Sequence, residues 1–177
     1  MPDELRNSIM NGRNDFERLS RAIQAGNGFR LLLAEYNLPH YRDLIIRRLK
    51  TLHGRSLVYP VDRENPPDFN AIKQRLAELS SEAGVLHVLG LEAWNHDPET
   101  DWLPSLNVHR ENLARRCPLP LVIWLPGRLI RLLAIHAADV WSWRSGVFDF
   151  SVRTEPDKPE PDLIPSPLAT AHFGKNA

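Results

Sequence analysis

The stretch FRLLLAEYNLPHYRDLIIRRLKTLHG, residues 29–54, decides the fold. It opens with a compact apolar run, Phe29 to Tyr36, centred on Leu31, Leu32 and Leu33 and preceded by Gly26 and Gly28. Asn37-Leu38-Pro39-His40 breaks the run. That length and punctuation predict a buried strand, with a helix as the alternative because Leu and Ala are neutral formers. From Tyr41 to His53 the period changes. Leu44, Ile45, Leu49 and Leu52 fall on one helical face, Arg42, Arg47, Arg48 and Lys50 on the other, and Gly54 closes the helix.

The same strand–helix unit recurs outward from this stretch. On the N-terminal side, Met1 to Asn14 is polar and reads as a loose arm. Phe16, Leu19, Ala22 and Ile23 then give a short helix over 15–25, with Asn14 or Asp15 as its cap. On the C-terminal side, Ser56 to Val61 reads as a strand, and Asp68 caps a helix running to Glu82. Val85 to Leu91 is a continuous apolar strand of the kind covered on both faces. A polar loop over 95–104 leads to a helix, Leu106 to Cys117, and to another apolar strand, Leu119 to Leu125. One helix is expected from Arg128 to Trp141, a turn at Ser145-Gly146, and a last strand from Val147 to Val152. Five of the 15 prolines follow Thr154, so 154–177 is expected as a disordered tail behind a domain over 15–153. Strands alternating with single helices imply right-handed crossovers and a parallel sheet. The expected fold class is therefore α/β: a three-layer sandwich with a mainly parallel five-stranded sheet.

Composition narrows the function classes. The chain has 177 residues, room for one ordinary domain. Its 22 basic and 22 acidic residues leave no cationic excess, which argues against nucleic acid as a partner. A single cysteine, Cys117, fits a reducing compartment. The N-terminus has no secretory pattern, and no run approaches the length of a membrane span, so a cytoplasmic location with no membrane partner is expected.

In an open parallel sheet, ligands bind beyond the carboxyl ends of the strands. The first strand, loop and helix resemble the start of a P-loop ATPase. Val85-Leu86-His87-Val88-Leu89-Gly90-Leu91-Glu92 resembles the apolar strand called Walker B, and Leu121-Val122-Ile123-Trp124-Leu125-Pro126 the later strand with a polar sensor. With Leu106-Asn107, Arg110-Glu111 and the run Asp139-Val140-Trp141-Ser142-Trp143-Arg144-Ser145-Gly146-Val147-Phe148, these strings resemble bacterial ATPase-like domains of the STAND and AAA type. Such domains commonly precede helical repeats in signalling and defence proteins. The resemblance covers about Phe16 to Phe150. It implies P-loop element order, and a nucleotide site touched by Asn37, His40, Arg42 and Glu92.

The departures from that family carry as much weight. A phosphate loop needs glycines whose N–H groups curl around the anion, a lysine, and a Ser/Thr for magnesium. Residues 37–42 contain none of these, and Pro39 removes a donor. The Walker B carboxylate position is Gly90 or Leu91, leaving only Glu92. No catalytic residue and no metal site follow. No cofactor is expected beyond residual ATP or another nucleotide. The expected function is a non-catalytic module acting through a protein partner, with oligomers left open. The alternatives are nucleotide binding without hydrolysis, or a metal-dependent hydrolase built on the loop from Glu92 to Asp101.

Other residues have two readings each. Glu92, His96, Asp97, Glu99 and Asp101 form either a divalent-metal loop or, the favoured reading, a solvated acidic loop. Cys117 and His109 lie too far apart on one helix to act together, so Cys117 reads as a small buried residue. His87 and His136 read as core histidines. Trp94 and Trp102 are candidate stacking or contact residues. Trp143 and Arg144 are candidates for a partner surface, with Arg144 able to pair with Glu92 or Asp149.

Overall fold

A computed structural model of the chain describes residues 3–62, 64–65, 67–94 and 102–152. The elements are α1 (Asp3–Gln24), β1 (Arg30–Tyr36), α2 (Pro39–Leu52), β2 (Ser56–Pro60), α3 (Phe69–Ser80), β3 (Val85–Leu89) and α4 (Trp102–Arg116). They continue as β4 (Pro120–Pro126), α5 (Gly127–His136), α6 (Ala138–Trp143) and β5 (Arg144–Asp149), with a 3-10 turn at Leu91–Trp94. The described strands form one sheet in the order β2-β3-β4-β1-β5, and every pairing is parallel. This is the expected α/β three-layer sandwich.

Strand periodicity builds the layers. Successive side chains of a strand point to opposite faces, and β1 divides its residues accordingly. Leu31 and Leu33 join a core with α3, α4, α5 and α6, which supply Ile72, Leu76, Leu113, Leu129, Leu133 and Val140. Leu32, Ala34 and Tyr36 join a second core with α1 and α2, which supply Phe16, Leu19, Ile45 and Leu49. Because both faces of the sheet are covered, β4 is buried from Pro120 through Leu125. Trp124, completely buried, packs on Phe150 with ring centroids 5.4 Å apart.

Local signals start several helices. Asp68 caps α3 by accepting from the Ala71 N–H at 2.8 Å. Pro39 stands in the first turn of α2, where its missing N–H costs no intrahelical bond.

Tertiary contacts overturn four local expectations. The segment expected as a loose arm is helical from Asp3 onward, so Asp15 lies inside α1 and is not its cap. The Asp15 carboxylate instead accepts from the Asp149 N–H at 2.8 Å, tying α1 to β5, and pairs with Arg18. The single helix expected over 128–141 is broken at Ala137, whose φ and ψ are −131° and 57°. There Asn107 reaches across from α4, and its Oδ1 accepts the Val140 N–H at 3.0 Å, taking a donor that a continuous helix would bond internally. The turn expected at Ser145-Gly146 lies within β5, at a shift in register against Leu31 and Leu32. His136, expected in the core, is exposed at the end of α5. Residues 154–177, expected as a disordered tail, lie outside the described residues.

Candidate functional site

The sheet topology marks one crevice. β1 and β4 are neighbours. The chain leaves β1 into α2 on one face, and leaves β4 into α5 on the other. Where adjacent strands send their connections to opposite faces, the loops part, and ligand sites form there in this architecture.

The expected nucleotide residues do not all meet at that crevice. Asn37 does, but its amide is committed to the chain itself. Nδ2 donates to the Val152 carbonyl at 2.7 Å, and Oδ1 accepts the Val152 N–H at 2.9 Å. This pair of bonds copies a strand ladder and holds Val152 alongside the end of β1. The Phe150 N–H, donating to the Glu35 carbonyl at 2.9 Å, belongs to the same ladder.

Arg42 is buried rather than presented to a ligand. Its side chain is 9% exposed, and Nε and Nη2 each reach Asp43 Oδ1 at 2.9 Å. The guanidinium lies 4.7 Å from the centroid of the Tyr36 ring. Tyr36 in turn donates its hydroxyl proton to Glu92 Oε1 at 2.9 Å. Burial, followed by the hydrogen bond and charge of Glu92, raises the Tyr36 pKa above its ordinary value. The phenol therefore remains a donor at neutral pH. Glu92, Tyr36 and Arg42 form one stack, with Glu92 held at the end of β3 against β1. His40 is exposed and stands apart, on the rim of a cleft beside α2.

The backbone also excludes a carboxylate at position 90. Gly90 adopts φ +87°, and a Cβ there would lie 2.8 Å from the Val61 carbonyl oxygen. No aspartate fits without moving the chain. Leu91, the next residue, is 4% exposed and packs in the core.

Sequence reasoning missed a second carboxylate at the crevice. Glu35 lies beside Asp149 in the β1–β5 register and against the first residue of α5. A Cβ on Gly127 would overlap Glu35 Oε1, so glycine is what allows the carboxylate this position. Burial first, then Asp149, raises the Glu35 pKa, while the Ser151 hydroxyl and Arg131 act the other way. A polar residue at the penultimate position of an apolar strand was the available signal.

The buried histidine is defined more sharply than the sequence allowed. The Trp124 indole, a donor only, gives its N–H to His87 Nδ1 at 3.2 Å. His87 Nδ1 is thus the acceptor, and its Nε2 carries the proton and donates to Ser56 Oγ at 3.0 Å. Desolvation, followed by the charges of Lys50 and His53, lowers the His87 pKa to about 3. His87 is a neutral structural bridge across β2, β3 and β4. Cys117 is fully buried, and burial raises its thiol to about 11, so it offers no nucleophile at neutral pH.

At the far end of the sheet, Trp141 packs against the core while Trp143 is 40% exposed. The Arg110 guanidinium lies 5.5 Å from the Trp143 ring. Arg144, expected to pair with a carboxylate, instead covers the Trp141 ring at 3.8 Å and donates to the Trp141 carbonyl. The side chains of Trp94 and Trp102 lie outside the described residues, as do His96, Asp97, Glu99 and Asp101. Among the described residues, no group of three or more His, Cys, Asp or Glu could hold a metal ion, and no helix is long and apolar enough to cross a membrane. Comparison with protein-family models gives no match, and comparison with curated proteins gives none either.

Proposed function

We propose that this chain is a non-catalytic, ATPase-like α/β module that works in bacterial signalling or defence through contact with a protein partner. One observation carries the reading: the polar groups at the end of β1 are already bonded within the chain. Asn37 is clamped to Val152, and Arg42 is buried on a Tyr36 that holds Glu92. The positions that would need a magnesium carboxylate are a backbone-constrained glycine and a core leucine. Phosphoryl transfer requires a cation to neutralise the leaving phosphate, and residues 37–42 supply no lysine to do it. The exposed Trp143 beside Arg110 is of the composition that protein interfaces favour. Isothermal titration with ATP and Mg²⁺ tests the proposal, with no binding heat expected. Micromolar binding accompanied by phosphate release overturns it.

One observation favours residual nucleotide binding as a second reading. Nη1 of the buried Arg42 has no hydrogen-bond partner among the described residues. A phosphate oxygen would satisfy it, provided Val152 were displaced from Asn37. This reading expects millimolar nucleotide to raise the melting temperature, and Arg42→Ala to abolish the rise. An unchanged melting temperature at millimolar ATP refutes it.

A further inference from the structure

A cleft of about 380 Å³ lies between α2 and the outer strands β2 and β3, away from the crevice at β1 and β4. Ile46, Val58 and Leu89 form its apolar lining. His40, Arg47 and Lys50 supply its polar part, spread from the first turn of α2 to the last. The one acid there, Asp43, is already neutralised by two contacts from Arg42. The uncompensated charge is therefore cationic, carried by Arg47 and Lys50. A ligand that matches this cleft has carboxylates beside aliphatic side chains.

The chain itself has such a segment, and the structure fixes where it departs. Asn37 holds Val152 three residues before His40. Beyond Val152 the sequence runs Arg153-Thr154-Glu155-Pro156-Asp157-Lys158-Pro159-Glu160-Pro161-Asp162-Leu163-Ile164. It carries four acids, Glu155, Asp157, Glu160 and Asp162, against two bases, Arg153 and Lys158, and then two aliphatic residues. An extended proline-rich chain advances about 3.1 Å per residue, so the ten residues from Val152 to Asp162 reach about 31 Å. The ten-residue step from His40 to Lys50 along α2 spans only about 15 Å. Reach is ample, and the prolines lower the conformational entropy lost on docking.

We infer that residues 155–164 dock in cis along α2, with Glu160 and Asp162 facing Arg47 and Lys50, and Leu163 and Ile164 over Ile46, Val58 and Leu89. An intramolecular tether supplies an effective concentration in the millimolar range, enough to hold a weak, charge-dependent contact closed. The tail then acts as a resident occupant that an acidic partner segment must displace. Occupancy depends on ionic strength, because most of the charge pairs stand near solvent.

Paramagnetic relaxation enhancement in the full chain tests this. A spin label is placed through Ser166→Cys; Cys117, buried and with its thiol raised to about 11, does not compete for the reagent. Docking predicts that, at low salt, the amides of Arg47 and Lys50 broaden while those of α5 on the opposite face do not. Arg47→Glu with Lys50→Glu should abolish the broadening, and adding Glu160→Lys with Asp162→Lys should restore it. No selective broadening at α2 overturns the inference, as does broadening indifferent to the charge reversal. A mixture of isotope-labelled chains and separate spin-labelled chains decides the source. Broadening that appears only between molecules overturns docking in cis.

Discussion

Acidification should destabilise this protein mainly through one residue, His87. Its ring is fully buried, accepts from the Trp124 indole and donates to Ser56. Protonation would put a hydrogen on Nδ1 facing the indole N–H, so the cation loses its acceptor role and gains a donor with no acceptor. The folded-state pKa is about 3 against an ordinary value of 6.5. The folded chain thus binds fewer protons than the unfolded chain throughout that interval. The associated stability is fully present above pH 6.5 and is lost as pH falls toward 3. By about pH 4.5, two units below the unfolded value, the loss is about 3 kcal/mol. That is a large share of a typical domain's stability. Urea denaturation between about pH 8 and about pH 4.5 measures it, with His87→Gln as the comparison. The variant starts less stable, because the indole and hydroxyl partners are imperfectly met, but its stability should fall much less over the same range. His53, whose pKa is also lowered by burial, contributes in the same direction, so His53→Gln serves as a control that keeps most of the slope. The reasoning fails if His87→Gln loses stability as steeply as the parent. It also fails if the His87 ring titrates near 6.5 in the folded protein by NMR.

Three further outcomes follow from the same geometry. Gly90→Ala should cost about 1–3 kcal/mol by chemical denaturation, because it combines a positive φ with a Cβ pressed on the Val61 carbonyl. Asn37→Ala removes both bonds to Val152, and the Val152 amide should exchange far faster while the amides of β4 stay protected. Cys117 should resist alkylation at pH 8 in the native state and react quickly once denatured, with the reaction rate set by the opening of the core.

The sequence made the layers legible and left their joints obscure. β1 and α2 begin and end within two residues of where their apolar periods place them, because burial on one face is written into local spacing. The break at Ala137 is not written there. Leu129, Leu132, Leu133 and Val140 hold a helical period through it, and the cause is the Asn107 side chain, 33 positions away. Asp15 misleads in the same way, since its cap-like chemistry is used on a partner 134 residues distant. At the crevice, composition alone showed that the glycine, lysine and hydroxyl of a phosphate loop were missing. It could not show what stands in their place, because Asn37 meets Val152 across 115 positions and Tyr36 meets Glu92 across 56. Long-range polar pairs of this kind carry no periodicity.

In the reading proposed above, the crevice is more than a phosphate loop without a few of its ligands. If the phosphate loop had simply lost its lysine, a cavity lined by unpaired backbone donors would remain, and such donors are costly to leave unsatisfied. Here Pro39 removes one donor, Asn37 turns its amide toward Val152, and Gly90 brings the end of β3 against Val61. Each change uses groups that a nucleotide site would need for its ligand. Placing a lysine in the loop or an aspartate at position 90 would therefore meet polar groups already bonded and a blocked backbone. In the reading we favour, the bonds of Asn37 to Val152 and of Phe150 to Glu35 order this end of the sheet without a nucleotide.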